Sequence, residues 1–417
     1  MAMNRRQFLR VCGGTGFSIG ASGIFLPQIA SALNSEKTAR KPYMDLKAED
    51  LRSKLMDVRG SFCDWYFNVT FEHKGLPYVL IGAIVAPGFS GQNEVTVAGV
   101  RGPFKMRREK ALDFIDAEGG IVKDKADKTR ATGEWISVLE EPEWHFRQVF
   151  IKQGQVFKQE MKEDTITVQV DNTRAICSKN EFKLRLDEKE YKINLDCVSR
   201  GSVIWWGGEP NKEFNLTQNS ILNGFEIPCD IEGTAMIRGE KIKIKGRGIF
   251  EHVWIKKLDM MELRSVDWII LNFDQSYVFL FKNESITQED RCLRDSHTGA
   301  IYLDKDKKVL PFTGIQIRYR DWAYAPKAYR FIPISYEVIA ETKDGLFKAN
   351  MEPVASPAWY VHRRMETLSM DNIGGWNFSY WDALLKAKGT FTYKDGKVLN
   401  LTNGVGINEP QRVSPLT

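Results

Sequence analysis

The chain has 417 residues, 43% of them hydrophobic and 27% charged, with 59 basic and 54 acidic side chains and a formal net charge of +5. That length exceeds what one hydrophobic core usually fills, so two domains or one large double structure is expected. Three of the basic residues, Arg5, Arg6 and Arg10, lie at the very start with no acid among them, and no basic cluster elsewhere argues for nucleic acid or a membrane surface.

The opening Arg5-Arg6-Gln7-Phe8-Leu9-Arg10 has the form of a twin-arginine export signal, with Asn4 where Ser or Thr is commoner. The apolar stretch behind it, Val11 to Pro27, is too short and glycine-rich to span a bilayer. Ala30-Ser31-Ala32 then fits a small-residue cleavage site. Residues 1–32 are therefore read as a signal removed near Ala32. The export machinery is the first expected partner, and the periplasm the expected location. No other stretch is long and apolar enough for a membrane span. Five cysteines remain (Cys63, Cys177, Cys197, Cys229 and Cys292), none in a C-x-x-C pair, which argues against zinc or thioredoxin-like chemistry. An odd number leaves at least one thiol free, and Cys177 and Cys197, on neighbouring expected strands, could pair.

Residues 33–59 carry the one helical periodicity. Leu46, Leu51, Leu55 and Met56 recur along Met44 to Val58, which predicts a charged amphipathic lead-in. Strands then dominate. Phe67, Val69 and Phe71 alternate with polar residues, and His73-Lys74-Gly75 supplies a turn into Tyr78 to Val85. Lys123 to Gly133 reads as an exposed loop. Ile166 to Val170, Phe182 to Leu186 and Tyr191 to Leu195 continue the alternation as a half-buried antiparallel meander. A second run opens at Gly233 and continues through Trp268–Phe273, Tyr277–Phe281, Ile301–Leu303 and Tyr336–Ala340. It closes on Thr390–Tyr393, a Lys394-Asp395-Gly396 turn and Val398–Leu401. Long meanders close into barrels because closure removes exposed edges. The expected fold is all-β: two antiparallel barrels or curved half-barrels side by side, residues 60–228 and 229–417, joined near Pro210–Asp230.

Within the second run, Gly246 to Trp254 reads GRGIFEHVW. Its two glycines suggest a bulge or a close backbone approach, which would let this strand pass from one barrel towards the other. On a strand, Ile249, Glu251 and Val253 share one face, while Phe250, His252 and Trp254 share the other. A carboxyl among apolar side chains has a raised pKa, which is what a general acid near neutral pH requires. The bland alternative is an ion pair between Glu251 and Arg247 or a lysine. Aromatic residues cluster at Trp65-Tyr66-Phe67, Trp144-His145-Phe146, Trp205-Trp206 and Trp376 to Trp381, as core plugs or as walls of an apolar cavity. The five histidines show no metal-binding spacing, no G-x-S-x-G elbow is present, and Gly246-x-Gly248 lacks the rest of a dinucleotide fingerprint. No metal or cofactor is expected.

Three motifs in order now carry a resemblance: Asp64-Trp65-Tyr66-Phe67-Asn68, then G-x-G-x-x-D/E-H-x-W at Gly246–Trp254, then Tyr380-Trp381-Asp382 followed by Gly389 and the Lys-Asp-Gly turn. Together they resemble the lipocalin-like carotenoid hydratase family, which includes hydroxyneurosporene synthase; tocopherol cyclase and several pericyclases look like distant relatives. The resemblance implies two lipocalin-like barrels with an acidic residue in the cavity between them. Glu251 matches that acid, usually aspartate, and His252 and Trp254 match its neighbours. The chain departs from the pattern at Ile249, where an aromatic is common, at Asp382 for Glu, and in a last strand that keeps only some glycines. An acid-catalysed hydratase, dehydratase or cyclase of a hydrophobic isoprenoid-like substrate is implied. Glu251 would donate the proton, His252 would orient it or position water, and Trp65, Trp205, Trp206 and Trp254 would supply aromatic walls. The alternatives are a carrier that binds a lipophilic molecule without converting it, and a structural partner in an exported complex.

Overall fold

A computed structural model describes residues 46–54, 61–86, 94–101, 134–137, 145–150, 157–187, 191–237, 239–256, 262–286, 292–325, 330–354, 358–362 and 376–415. The export signal, its cleavage site and the loop over 123–133 lie outside the described residues. In place of the expected helix over 44–58, the described part of the lead-in forms a single 3-10 turn, Ala48–Leu51. Leu46 and Leu51 are buried; Leu55 and Met56 lie outside the described residues.

Twenty-three strands follow among the described residues. The first fourteen are β1 (Phe62–His73), β2 (Leu76–Val85), β3 (Glu94–Arg101), β4 (Glu134–Ser137), β5 (His145–Phe150), β6 (Phe157–Lys162), β7 (Thr165–Val170), β8 (Thr173–Cys177), β9 (Glu181–Asp187), β10 (Tyr191–Ser199), β11 (Ile204–Trp205), β12 (Phe214–Asn215), β13 (Ile221–Ile237) and β14 (Glu240–Ile255). The remainder are β15 (Leu263–Asn272), β16 (Ser276–Ile286), β17 (Leu293–Leu303), β18 (Lys308–Ala325), β19 (Arg330–Thr342), β20 (Gly345–Pro353), β21 (Ala358–His362), β22 (Trp376–Tyr393) and β23 (Val398–Pro415).

These strands make two antiparallel sheets. The first runs β5-β3-β2-β1-β14-β13-β10-β9-β8-β7-β6, with β11 and β12 added on β13. In the second, β15 to β20, β22 and β23 close into an eight-stranded barrel through the β20–β22 pairing. β21 and β4 extend it beyond β22, so the N-terminal half of the chain lends a strand to the second sheet. Among the described residues the first sheet remains open in its pairing, yet it curls far enough for Trp65 on β1 to stack on Phe157 at the start of β6. The β1–β2 hairpin turns at Lys74 and Gly75, both at positive φ, as a two-residue turn of matching twist requires.

The sheets change between Ile255 and Leu263, later than the expected boundary at residues 228 and 229. Pro228 and Gly233 look like breaks in the sequence, but both lie inside the continuous strand β13. Gly233 marks a close approach, since a Cβ there would sit 2.0 Å from the Asn194 carbonyl oxygen. The same holds on β14: a Cβ on Gly248 would meet the Asn68 carbonyl oxygen at 1.7 Å. The β1–β14 register stays constant through Gly246 and Gly248, so the glycines permit close approach without a bulge, and β14 stays in the first sheet. Cys177 and Cys197 are free and buried. Strand β9 lies between them and both register with Phe182, which sets them two strand spacings apart, ~10 Å, beyond disulfide reach.

Strand alternation separates three cores. One fills the curl of the first sheet, with Trp65, Phe67, Phe250 and Trp254. A second fills the barrel, with Ile269, Leu271, Val338 and Phe347. The third lies along the seam between the sheets, where Ile249 and Val253 of β14 meet Trp268 and Ile270 of β15 and Phe279 of β16.

Candidate active site at the seam between the sheets

The face of β14 that carries Ile249, Glu251 and Val253 is the seam face, and the face that carries Phe250, His252 and Trp254 turns into the first sheet's own core. Glu251 is therefore buried between the sheets, 8% exposed. Its register partner on β13 is Glu226, 0% exposed, and its partner on β1 is Tyr66. Two carboxyls directly opposite on neighbouring strands repel if both are ionised, so the pair favours a shared proton.

A third carboxyl joins them through a local opening of the ladder. The β1–β14 register skips from Cys63–Trp254 to Tyr66–Glu251, and side chains take over at the gap. The Val253 N–H donates to Asp64 Oδ1 at 2.9 Å, while His252 Nδ1 meets the Asp64 carbonyl oxygen. The Asp64 carboxyl is thereby fixed beside Glu251, on the seam face that it shares with Tyr66. From the second sheet, the Trp268 indole donates to Glu226 Oε1 at 3.2 Å and meets the Tyr66 ring edge-on at 5.5 Å. Trp206 packs on Phe279 and Phe281. Its N–H lies near Glu226 without meeting strict hydrogen-bond geometry.

Burial dominates the electrostatics. It lifts Glu226 from 4.5 to about 7, against the lowering effect of its bonds to Glu251 and Trp268. Glu251 stands well above the ordinary carboxylate range, first through burial and then through the charge of Glu226. Asp64 is raised in the same way, by burial and then by Glu251. Burial and mutual repulsion thus favour the protonated forms of Glu251 and Asp64, while Glu226 is poised near neutrality between its two forms. A protonated carboxyl beside a potential acceptor, in a site with little water, can donate a proton and take one back.

Of the six residues singled out in the sequence, Glu251 and Trp206 face the seam. His252, Trp65, Trp205 and Trp254 face the first sheet's core instead, so the expected pairing of His252 with Glu251 at the seam is corrected, while of the four tryptophans, at least one of which was expected as a wall, Trp206 is at the seam. His252 is fully buried in the first sheet, stacked on Trp65 at 4.8 Å and flanked by Phe225 and Trp254. Its Nε2 faces the Arg52 carbonyl oxygen at 3.0 Å, and burial lowers the ring to about 4. A neutral imidazole between two backbone carbonyls donates to one of them and ties the lead-in to β1. Trp65 adds a second tie, its indole donating to the Leu51 carbonyl at 3.0 Å.

Glu226 and Trp268 escaped the sequence reading, and Asp64 was noticed there only as part of a motif. Glu226 sits in Ile221-Leu222-Asn223-Gly224-Phe225-Glu226-Ile227, a lone acid within an apolar run. The desolvation argument that singled out Glu251 applies to it equally. Among the described residues, no group of three His, Cys, Asp or Glu side chains is arranged to hold a metal ion.

No protein-family model matches the sequence, and no curated protein matches it significantly. Solved structures do share the architecture. A candidate AttH protein from Nitrosomonas europaea superposes with a TM-score of 0.54 at 13% identity, covering 89% of this chain and 99% of that one. The structure of CghA gives a TM-score of 0.51 at 8% identity, covering 86% and 89%. Kievitone hydratase from Nectria haematococca, at 10% identity over 92% and 97%, scores 0.48, too low to bear on the argument. At these identities the first two likenesses establish a common, lipocalin-like two-sheet fold.

Proposed function

We propose that the seam is the active site of an acid-catalysed hydratase, dehydratase or cyclase acting on a hydrophobic, isoprenoid-like substrate. The observation that carries this reading is the buried row Glu226–Glu251 with Asp64 beside it, set against Trp268 and Trp206. In the hydration direction, the Glu251 O–H bond breaks as a new C–H bond forms at an alkene carbon. The carbocation left behind lies near indole faces, an attraction worth about 2 kcal/mol when desolvated. Water adds to that cation and loses a proton to the carboxylate set, which restores the starting state. Dehydration runs the same steps backwards, and cyclisation replaces water with a second alkene of the same molecule, the new cation then losing a C–H proton to the carboxylate set. His252 plays a positioning part, holding Asp64 and the lead-in. The sequence resemblance to the carotenoid hydratase family points the same way.

The test is turnover. Extracts of purified protein incubated with candidate isoprenoids are analysed by mass spectrometry for the gain or loss of one water, or for an isomer. The reading expects conversion by the wild type and a loss of at least ~10²-fold in Glu251→Gln and Glu226→Gln, the usual scale for a general acid or base. Full turnover in Glu251→Gln would remove Glu251 as the donor, and unchanged ligand from the wild type would make the protein a carrier. We also propose export by the twin-arginine route. Fractionation of cells expressing the full chain and its Arg5→Lys, Arg6→Lys variant checks it, with retention of the variant in the cytoplasm expected.

A further inference from the structure

Besides Glu226 Oε2 and Trp206 Nε1 at the acidic row, the Tyr277 hydroxyl, Asn272 Oδ1 and Asn68 Nδ2 are buried on the seam with no hydrogen-bond partner among the described residues. Their side chains are 0%, 1% and 1% exposed. Asn272 and Tyr277 are register partners on β15 and β16, side by side on the face of Trp268 and Ile270. Asn68 sits on β1 in the other sheet, on the seam face two residues from Tyr66, and registers with Ile249. Tyr277 is close enough to the carboxyls to feel the charges of Glu226 and Glu251. The seam therefore has an acidic row and, along the same strands within about four residues or ~13 Å, a polar end without internal partners.

Buried polar atoms are rarely left unpaired, and ordered water commonly fills such positions in the free protein. A pure hydrocarbon lying in the seam would displace that water and return none of its bonds. A hydroxyl would return them, accepting from the Tyr277 O–H or the Asn68 N–H and donating to Asn272 Oδ1. A ketone could only accept. We propose that the seam takes a hydrophobic molecule carrying an oxygen function, preferably a hydroxyl, at the end next to Tyr277 and Asn272, and discriminates against a plain polyene. This rests on the seam being the binding site, as above, and it narrows the substrate class to oxygenated molecules.

The experiment measures binding, not turnover. Farnesene and farnesol share one fifteen-carbon skeleton and differ in oxygen, farnesylacetone carries a ketone on the same farnesyl chain lengthened by three carbons, and each is titrated into the purified full chain with tryptophan fluorescence as the readout. Farnesol is expected to bind at least ~10-fold more tightly than farnesene, the scale of one unsatisfied buried polar group, with farnesylacetone between them. Tyr277→Phe and Asn272→Leu should each reduce farnesol binding ~10-fold and leave farnesene unchanged; using two sites guards against a local folding defect in either variant. Farnesene binding as tightly as farnesol, no binding of farnesol, or a preference for farnesol that survives both substitutions would overturn the proposal. Its failure is separable from failure of the acid assignment. Full turnover in Glu251→Gln with the farnesol preference intact removes the donor alone, and an inactive Glu251→Gln without the preference removes only the oxygenated class.

Discussion

Replacing Glu226 by Gln should change the pH dependence of folding in a way that reports directly on the buried row. In the folded protein the Glu226 carboxyl titrates at about 7, against an ordinary 4.5, with burial the largest cause. Between these values the native state holds a proton that the unfolded chain has released, so unfolding free energy must fall as pH rises. The contribution is fully present below pH 4.5 and has been lost above pH 7. Its size follows from the interval, at 1.36 kcal/mol for each unit of pKa, and comes to about 3 kcal/mol. Gln keeps the shape and a donor–acceptor head but cannot ionise. Urea unfolding followed by circular dichroism from pH 4.5 to 8.5, at fixed ionic strength, measures both proteins. Glu226→Gln minus wild type should be near a constant at the acid end and should grow in favour of the variant by about 3 kcal/mol by pH 8. His252, lowered by burial to about 4, contributes a slope of opposite sign, but it is common to both proteins and cancels in the difference. A pH-independent difference would mean that Glu226 ionises normally, and a difference of the opposite sign would mean that its charged form is the stabilised one. Either result refutes the shared-proton reading.

His252→Ala should lower stability by about 2–4 kcal/mol through the lost packing on Trp65 and the unpaired carbonyls of Asp64 and Arg52, and should speed amide exchange in Ala48–Leu51, which Glu251→Gln leaves protected. Unchanged exchange would show that the lead-in is held by other contacts. Gly248→Ala should prevent accumulation of folded protein, because its Cβ would meet the Asn68 carbonyl oxygen at 1.7 Å; Gly396→Ala, at a φ of 85° in open space, should cost only about 1–2 kcal/mol. Equal melting temperatures for the two variants would contradict the close approach of β1 and β14. Reducing agent should leave the melting temperature unchanged, since Cys63, Cys177 and Cys197 are buried free thiols; a shift of several degrees would reveal a disulfide.

The two-fold alternation along Gly246–Trp254 was enough to place Glu251 and His252 on opposite faces before any coordinates. The expectation that both border one pocket at the barrel junction, argued from Gly246 and Gly248, runs against that alternation, and the strand geometry prevails. Adjacent residues on a regular strand cannot both face the same cavity. The same rule divides Trp205 from Trp206, and only Trp206 reaches the seam. The turns at Lys74-Gly75 and around Gly396 were legible because positive φ selects glycine and a few polar residues. The boundary between sheets was not legible, because Gly233 marks a close backbone approach inside β13 and a turn would put the same residue there. Register was the other missing quantity. Nothing local in the sequence states that Glu226 stands opposite Glu251, since that pairing depends on the lengths of β13, β14 and the turn between them.

That pairing also explains why a single strand can serve stability and chemistry together. The His252 side of β14 is packed with aromatic rings and backbone carbonyls that fix β1 and the lead-in, and it has no use for ionisation. The Glu251 side faces a second sheet, where the carboxyl row meets two indoles and a polar end that lacks partners. The ladder gap at Asp64 links the sides: His252 and the Val253 N–H hold one residue by its carbonyl and its carboxyl, so the inner core sets the position of the outer acid. His252→Gln, which can still donate to the Asp64 carbonyl, should therefore preserve the proton-donor function better than His252→Ala at matched folded fraction. The pH profile of turnover is the discriminating readout. In His252→Ala a displaced Asp64 carboxyl removes the hydrogen bond that lowers the Glu251 pKa, so the basic limb of the profile should move to higher pH, while His252→Gln keeps it in place. Profiles that coincide in shape and differ only in amplitude would show that His252 supports the fold and leaves the acid untouched.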